Sequence, residues 1–306
     1  MPPSGGPHIP LNPPIVFAAL LTLLPLLAAA FCRDTCERLA ARAGHLPAWL
    51  RVLRPSVLCL PYILVSSSTS SFRWGWLLLY ALLPIAVSAL LLDAKRVDPT
   101  QRGTWRDLLV LALLGLSVDL RWFEPAWPAH LAAFNKILLL DTGIYGFLIL
   151  RQLDGVGFDL RLRLRDVGIG LREFALYAPV AIALGLALGF LHLHTEAKLW
   201  PHPLRLAGMF LFTFLFIAVP EELFFRGWLQ NLLERRLGRT PALLVTAVLF
   251  GLSHFNKRAL HFNWRYVLLA ALAGIFYGRA WRQDRRVGAS ALTHACVDTI
   301  WGAWLR

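Results

Sequence analysis

Apolar runs separated by short charged loops recur along nearly the whole chain. They fall at 14–31, 55–71, 74–92, 107–122, 131–150, 173–191, 204–233, 241–256, 265–281 and 288–304. A helix needs about 20 such residues to cross the hydrocarbon core of a bilayer. The second and eighth runs are short or weak, so the pattern predicts about eight to ten transmembrane helices. No run alternates with the period of a strand, and open sheet edges cannot stand in lipid. The expected fold class is therefore all-α, a polytopic membrane protein.

Composition agrees. The 306 residues are 57% hydrophobic and 16% charged, against about 45–50% and 25% in soluble domains. The net charge of +13 would suggest nucleic acid in a soluble protein, but its distribution suggests a membrane. Basic residues crowd loops 32–54, 93–106, 151–172, 234–240 and 282–287, whereas loop 123–130 has none and loop 192–203 has only Lys198. Positive-inside then puts the N-terminus outside and every odd-numbered loop in the cytoplasm, with Lys257 and Arg258 in loop 257–264 fitting least well. No nucleic-acid partner is needed to explain the charge. The expected setting is a bacterial cytoplasmic membrane, with the lipid bilayer itself as a partner.

Residues 1–13 are Pro/Gly-rich and are expected to form a disordered tail. They contain no Lys or Arg, so the positive start of a secretory signal is missing. The following LLAAAFC loosely suggests a lipoprotein site, but Phe31 stands where a small residue is needed, and the first run is read as a retained span. Cys32, Cys36, Cys59 and Cys296 have no zinc-ribbon or finger spacing and read as inert thiols. Trp74, Trp76, Trp105, Trp122, Trp200 and Trp264 stand near span ends, as an interfacial belt does. His192, His194 and His202 read as a solvated turn rather than a metal site.

Chemistry concentrates in the second half. Spans within 14–192 carry few charges, with Asp119, Arg121 and Asp141 near expected ends, whereas 204–304 holds nearly all the buried ionisable groups. VPEELFFRG, residues 219–227, places Glu221, Glu222 and Arg226 in one apolar span. A charge at the bilayer centre costs at least about 2.5–3.5 kcal/mol, so these groups need partners. Glu222 and Arg226 are four apart and share a helix face. That pairing leaves Glu221, about 100° around the helix, as the working carboxylate. Pro220 removes a backbone donor and can open the helix to water. FGLSH places Phe250 four before His254, and HACVD places His294 four before Asp298. One carboxylate and two imidazoles around a water can activate it for attack on a carbonyl, by general base chemistry or with a metal.

These motifs resemble a known family. EELFFR matches E-E-x-x-x-R, FGLSH matches F-x-x-x-H, and HACVD matches H-x-x-x-N/D, in that order and in separate spans. The chain thus resembles the CPBP (CAAX protease and bacteriocin-processing, or Abi) intramembrane endopeptidases over 172–306, leaving 14–171 as transmembrane helices without an assigned role. The resemblance implies that Glu221 and His254 activate water and that His294 and Asp298 stabilise the oxyanion. It also implies that Glu222 and Arg226 hold the site's shape, with Phe250 as a pocket wall. Asp298 stands where the CAAX endopeptidases carry Asn; an anionic Asp repels an oxyanion unless it is protonated or orients His294. The implied substrate is a membrane-anchored protein or peptide. No cofactor is expected, and H-E-x-x-H is absent, although Glu221, His254 and His294 are the ligand set if zinc is present. Two rival readings are a non-catalytic immunity or scaffold protein of the same fold, and a proton-coupled transporter. The transporter would more typically show repeated halves, which the sequence lacks.

Overall fold

A computed structural model describes residues 12–32, 34–128, 131–192, 203–257 and 261–305. The described residues form eleven helices and no strand. In chain order they are α1 (Pro13–Phe31), α2 (Thr35–Gly44), α3 (Ala48–Ser68), α4 (Trp74–Val97), α5 (Trp105–Asp119) and α6 (Ala133–Leu150). There follow α7 (Leu164–Ala187), α8 (Pro203–Leu237), α9 (Arg239–Leu252), α10 (Trp264–Asp284) and α11 (Val287–Trp304). Every apolar run is a helix. Six of them, α1, α3, α4, α6, α7 and α8, are long and apolar enough to cross a membrane, and α9 is a shorter apolar helix. The protein is an all-α polytopic membrane protein.

Two helical stretches lie in segments expected to be loops. Within 32–54, α2 forms because its Ala40 and Ala43 pack against Ile149, while its arginines point away. A hydropathy average hides such a two-faced segment. Helix α7 starts at Leu164, well before the expected 173, because the charges in its first turns are paired. Asp166 accepts the Arg163 backbone N–H at 2.8 Å and both of its oxygens lie 2.9 Å from Arg286 Nε. Residues 1–11, His194, His202, Lys198, Arg33 and Arg258 lie outside the described residues.

The chain divides into two compact units, residues 1–153 and 154–306. The division falls before the expected core boundary at 172 because 154–163 packs onto the second unit. Trp281 donates to the Val156 carbonyl at 3.1 Å, and the Val287 N–H donates to the Gly157 carbonyl at 2.9 Å. Gly157 has φ +71°, and a Cβ there would overlap the Arg285 carbonyl oxygen, so only glycine fits.

In the first unit, Tyr62, Tyr80 and Trp127 form an aromatic cluster, with Trp127 Nε1 donating to Tyr80 and Tyr80 donating to Asn135. At one end of the unit Arg151 ties α4 and α5 to α6. It reaches Asp98 at 2.6 Å, Asp107 at 3.0 Å and the Asp98 carbonyl at 3.0 Å. Asp107, Arg151, Asp166 and Glu173 are all buried. This corrects the expectation that buried charges concentrate in 204–304, since helix ends elsewhere bury charges in pairs. Asp141 is also displaced from its expected place near a span end. It is buried in the middle of α6, and neither carboxyl oxygen has a hydrogen-bond partner among the described residues.

In the second unit, α8 is the organising helix at 35 residues. Its first half exposes Leu204, Leu211 and Phe212, an apolar face suited to lipid. Its second half is buried and widens into π-helical turns at Phe214–Ala218 and Leu223–Gln230. Pro220 lies between them; it lacks an N–H and its ring crowds the preceding turn, and wide turns relieve both problems. Helices α9 and α10 approach closely at Gly274, where a Cβ would meet Ala247 Cα at 3.0 Å.

Candidate active site

The site is built on the widened part of α8, the C-terminal end of α9 and one face of α11. Glu222 and Arg226 are fully buried, with Arg226 Nε 3.1 Å from Glu222 Oε2. The contact is an ion pair rather than an aligned hydrogen bond, since Nε has no hydrogen-bond partner among the described residues. Arg226 Nη2 donates to the Gly274 carbonyl at 3.2 Å. Its guanidinium lies 4.7 Å from the Phe250 ring centroid, within cation–π range. Phe250 thus covers a buried cation as well as forming a wall.

Glu222 does more than pair with arginine. Its Oε1 lies 2.9 Å from His294 Nδ1, and its Oε2 accepts the Ser290 hydroxyl. A carboxylate can only accept, so Nδ1 carries a proton and Nε2 faces the other way. On that side stand Asp298 Oδ2 at 3.5 Å and Glu221 Oε2 at 4.0 Å. The ring is held flat by Tyr277, stacked at 4.6 Å, and edge-on by Phe250 at 5.7 Å. His294 is fixed on every side.

Glu221 differs from its neighbour. Its side chain keeps 28% exposure, and Lys257 Nζ lies 3.8 Å from Oε1. His254 sits in the turn after α9, and its Nδ1 is 2.9 Å from the Phe250 carbonyl. The carbonyl accepts, so Nδ1 carries the proton and the neutral ring leaves Nε2 as an acceptor. His254 packs its ring against Phe250 and Tyr266. A largely apolar pocket opens here, lined by Tyr177, His254, Tyr266, His294, Asp298 and Trp301.

The seven residues singled out in the sequence therefore lie in one region of the second unit. Glu222, Arg226, His294 and Asp298 form a continuous chain of contacts, Glu221 stands beside it, and His254 joins through Phe250 and the pocket wall. Sequence reasoning missed Ser290, Tyr277 and Lys257. Ser290 had a signal: Ser290, His294 and Asp298 recur every fourth residue, on one face of α11. Tyr277 had none, as one aromatic among many. Among the described residues no three His, Cys, Asp or Glu side chains converge as ligands of one ion.

Residues 203–300 match the family model described as Type II CAAX prenyl endopeptidase Rce1-like. The match begins at the first residue of α8 and ends within α11, so it takes in every candidate site residue. Over this stretch the chain is similar to the CPBP/CAAX protease family. No curated protein and no solved structure matches the chain.

Proposed function

We propose that the chain is an intramembrane endopeptidase that hydrolyses a peptide bond of a membrane-associated protein or peptide. The family match over 203–300 supplies the class of reaction. The observation that carries the reading is His294, held between Glu222 and Asp298 with the partly buried Glu221 carboxylate 4.0 Å from Nε2.

In this reading water sits against Glu221, which takes its proton as the oxygen attacks the scissile carbonyl carbon. His254 Nε2, an acceptor in the tautomer set by Phe250, is the second proton acceptor. The carbonyl π electrons move to oxygen, and a His294 ring bearing a proton on Nε2 donates to that oxyanion. Collapse breaks the C–N bond, and the proton held by Glu221 passes to the departing amine. Asp298 stands 3.5 Å from the same Nε2 and orients His294 from that side. Lys257 balances the Glu221 charge near the pocket. No step passes through a metal.

The test is cleavage of a library of membrane-tethered peptides by the purified chain in vesicles. Glu221→Gln should fold and extract as the parent does, yet lose at least ~100-fold in turnover. Near-normal cleavage by that variant sinks the assignment, and so does a parent chain that cleaves nothing. Chelator-washed protein should stay active. About one zinc per chain, with activity lost on its removal and restored on its return, overturns the metal-free mechanism.

A further inference from the structure

A second polar pocket lies in the first unit, at the end where Arg151 gathers α4, α5 and α6. It holds about 220 Å³ and is lined by Ala40 and Ala43 of α2, Arg51 of α3, Lys95 of α4, and Ile149 and Gln152 at the end of α6. The walls come from three basic loops, 32–54, 93–106 and 151–172, which the charge pattern independently assigns to one side of the membrane.

Among the described residues no carboxylate pairs with the pocket's Arg51 or Lys95. Arg51 Nε is buried and has no hydrogen-bond partner among the described residues, and the Arg51 carbonyl is held in place by the Tyr145 hydroxyl at 2.9 Å. Lys95 Nζ donates to Gln152 Oε1. The acids nearby in the chain are committed elsewhere: Asp93 to Arg96 and Arg106, and Asp98 and Asp107 to Arg151. Glu37, in the first turn of α2, makes no ion pair with Arg51 or Lys95 among the described residues. Gln152 is in the left-handed region at φ 53°, with its carbonyl accepting from Gln101 at 2.9 Å. A non-glycine residue is strained there, and its side chain accepts from Lys95.

The depth is that of a headgroup. Arg51 is in the first turn of α3 and Lys95 in the last turn of α4, both of membrane-crossing length. Trp49, beside Arg51, is 63% exposed, as an interfacial tryptophan is. A guanidinium and an ammonium converging on one cavity suit a phosphate oxyanion. We propose that this pocket binds the phosphate of an anionic phospholipid headgroup.

Native mass spectrometry of the full chain, titrated with phosphatidylglycerol, phosphatidylcholine or inorganic phosphate, tests this. Phosphatidylglycerol should bind the parent, and Arg51→Gln with Lys95→Gln should weaken it by roughly tenfold or more. Lys136→Gln, on the first turn of α6 and so at its other end, should leave binding unchanged. If the double variant does not accumulate, Lys95→Gln alone carries the test, because it removes only the bond to Gln152. Equal retention of phosphatidylglycerol by parent and variant overturns the proposal, as does equal binding of phosphatidylcholine. Binding of inorganic phosphate with no lipid preference overturns the lipid as its source.

Discussion

Each unit buries one arginine completely, and the two are satisfied to different degrees. Arg151 in the first unit has Nε, Nη1 and Nη2 all bonded, to Asp107, the Asp98 carbonyl and Asp98. Arg226 in the second unit has one hydrogen bond, to Gly274, one ion pair, to Glu222, and an Nη1 with no partner among the described residues. Aromatic faces of Phe250 and Tyr277 stand where further acceptors could have been. A saturated buried network fixes a structure, whereas a buried donor left without a partner calls for an explanation, and chemistry is one such explanation. Glu222 shows where the unsatisfied interaction went. Its two oxygens are shared among arginine, serine and histidine, so it serves His294 at the expense of a tight fit with Arg226. Arg151 is held as architecture, and Arg226 leaves its charge poised.

The sharpest way to break that contrast is to remove each cation. Arg151→Met leaves Asp98 and Asp107 without their buried partner and should cost about 3–5 kcal/mol, seen as a loss of accumulated protein. Arg226→Met leaves Glu222 still bonded to His294 and Ser290, so the stability loss should be smaller, on the order of 1–3 kcal/mol, with peptidase turnover falling much further. Thermal unfolding and turnover of both variants in vesicles give the comparison. If Arg226→Met unfolds while Arg151→Met is well tolerated, the assignment of architecture and chemistry to the two units is reversed.

Ser290→Ala probes the same contrast more gently. It removes the hydroxyl from Glu222 Oε2 and leaves that oxygen to Arg226 alone. The expected cost is about 1 kcal/mol, with turnover reduced because His294 loses part of the support behind Glu222. A variant with parental melting and parental turnover would remove Ser290 from the site.

Much of this was legible in the sequence, for reasons that differ by residue. Lipid forces apolar residues into long runs, so the helices are visible one by one. A spacing of four puts Glu222 beside Arg226 and Asp298 beside His294, and both contacts exist. The bond from Glu222 to His294 was not legible, because it joins residues far apart in sequence and no local pattern encodes it. Charge counting also misread the basic loops in part. Arg151 and Arg286 mark a side of the membrane in the sequence, yet both are buried and bonded to carboxylates. A formal charge does not reveal whether it faces water.

The smallest effect concerns a pair at the edge of the second unit. Asp159 bonds Arg161 at 2.9 Å through both carboxylate oxygens, and its Oδ2 also lies 3.2 Å from Arg286. The Arg161 guanidinium holds the Asp159 carboxyl well below the usual carboxylate range, helped by the Arg161 backbone N–H and by Arg286 and opposed by partial burial. A depressed value in the folded state means that folding favours the ionised form. The associated stability is fully present above the unfolded value, near 4, and shrinks as the pH falls below it. Arg161 is half-exposed, so screening keeps the contribution under about 1 kcal/mol. Unfolding of the parent and of Asp159→Asn, measured from pH 7 to pH 3, should show a constant gap down to about pH 5 that then narrows. A gap that holds its full size at pH 3, or widens there, would mean that Asp159 supports this edge through its shape and backbone bonds rather than through its charge.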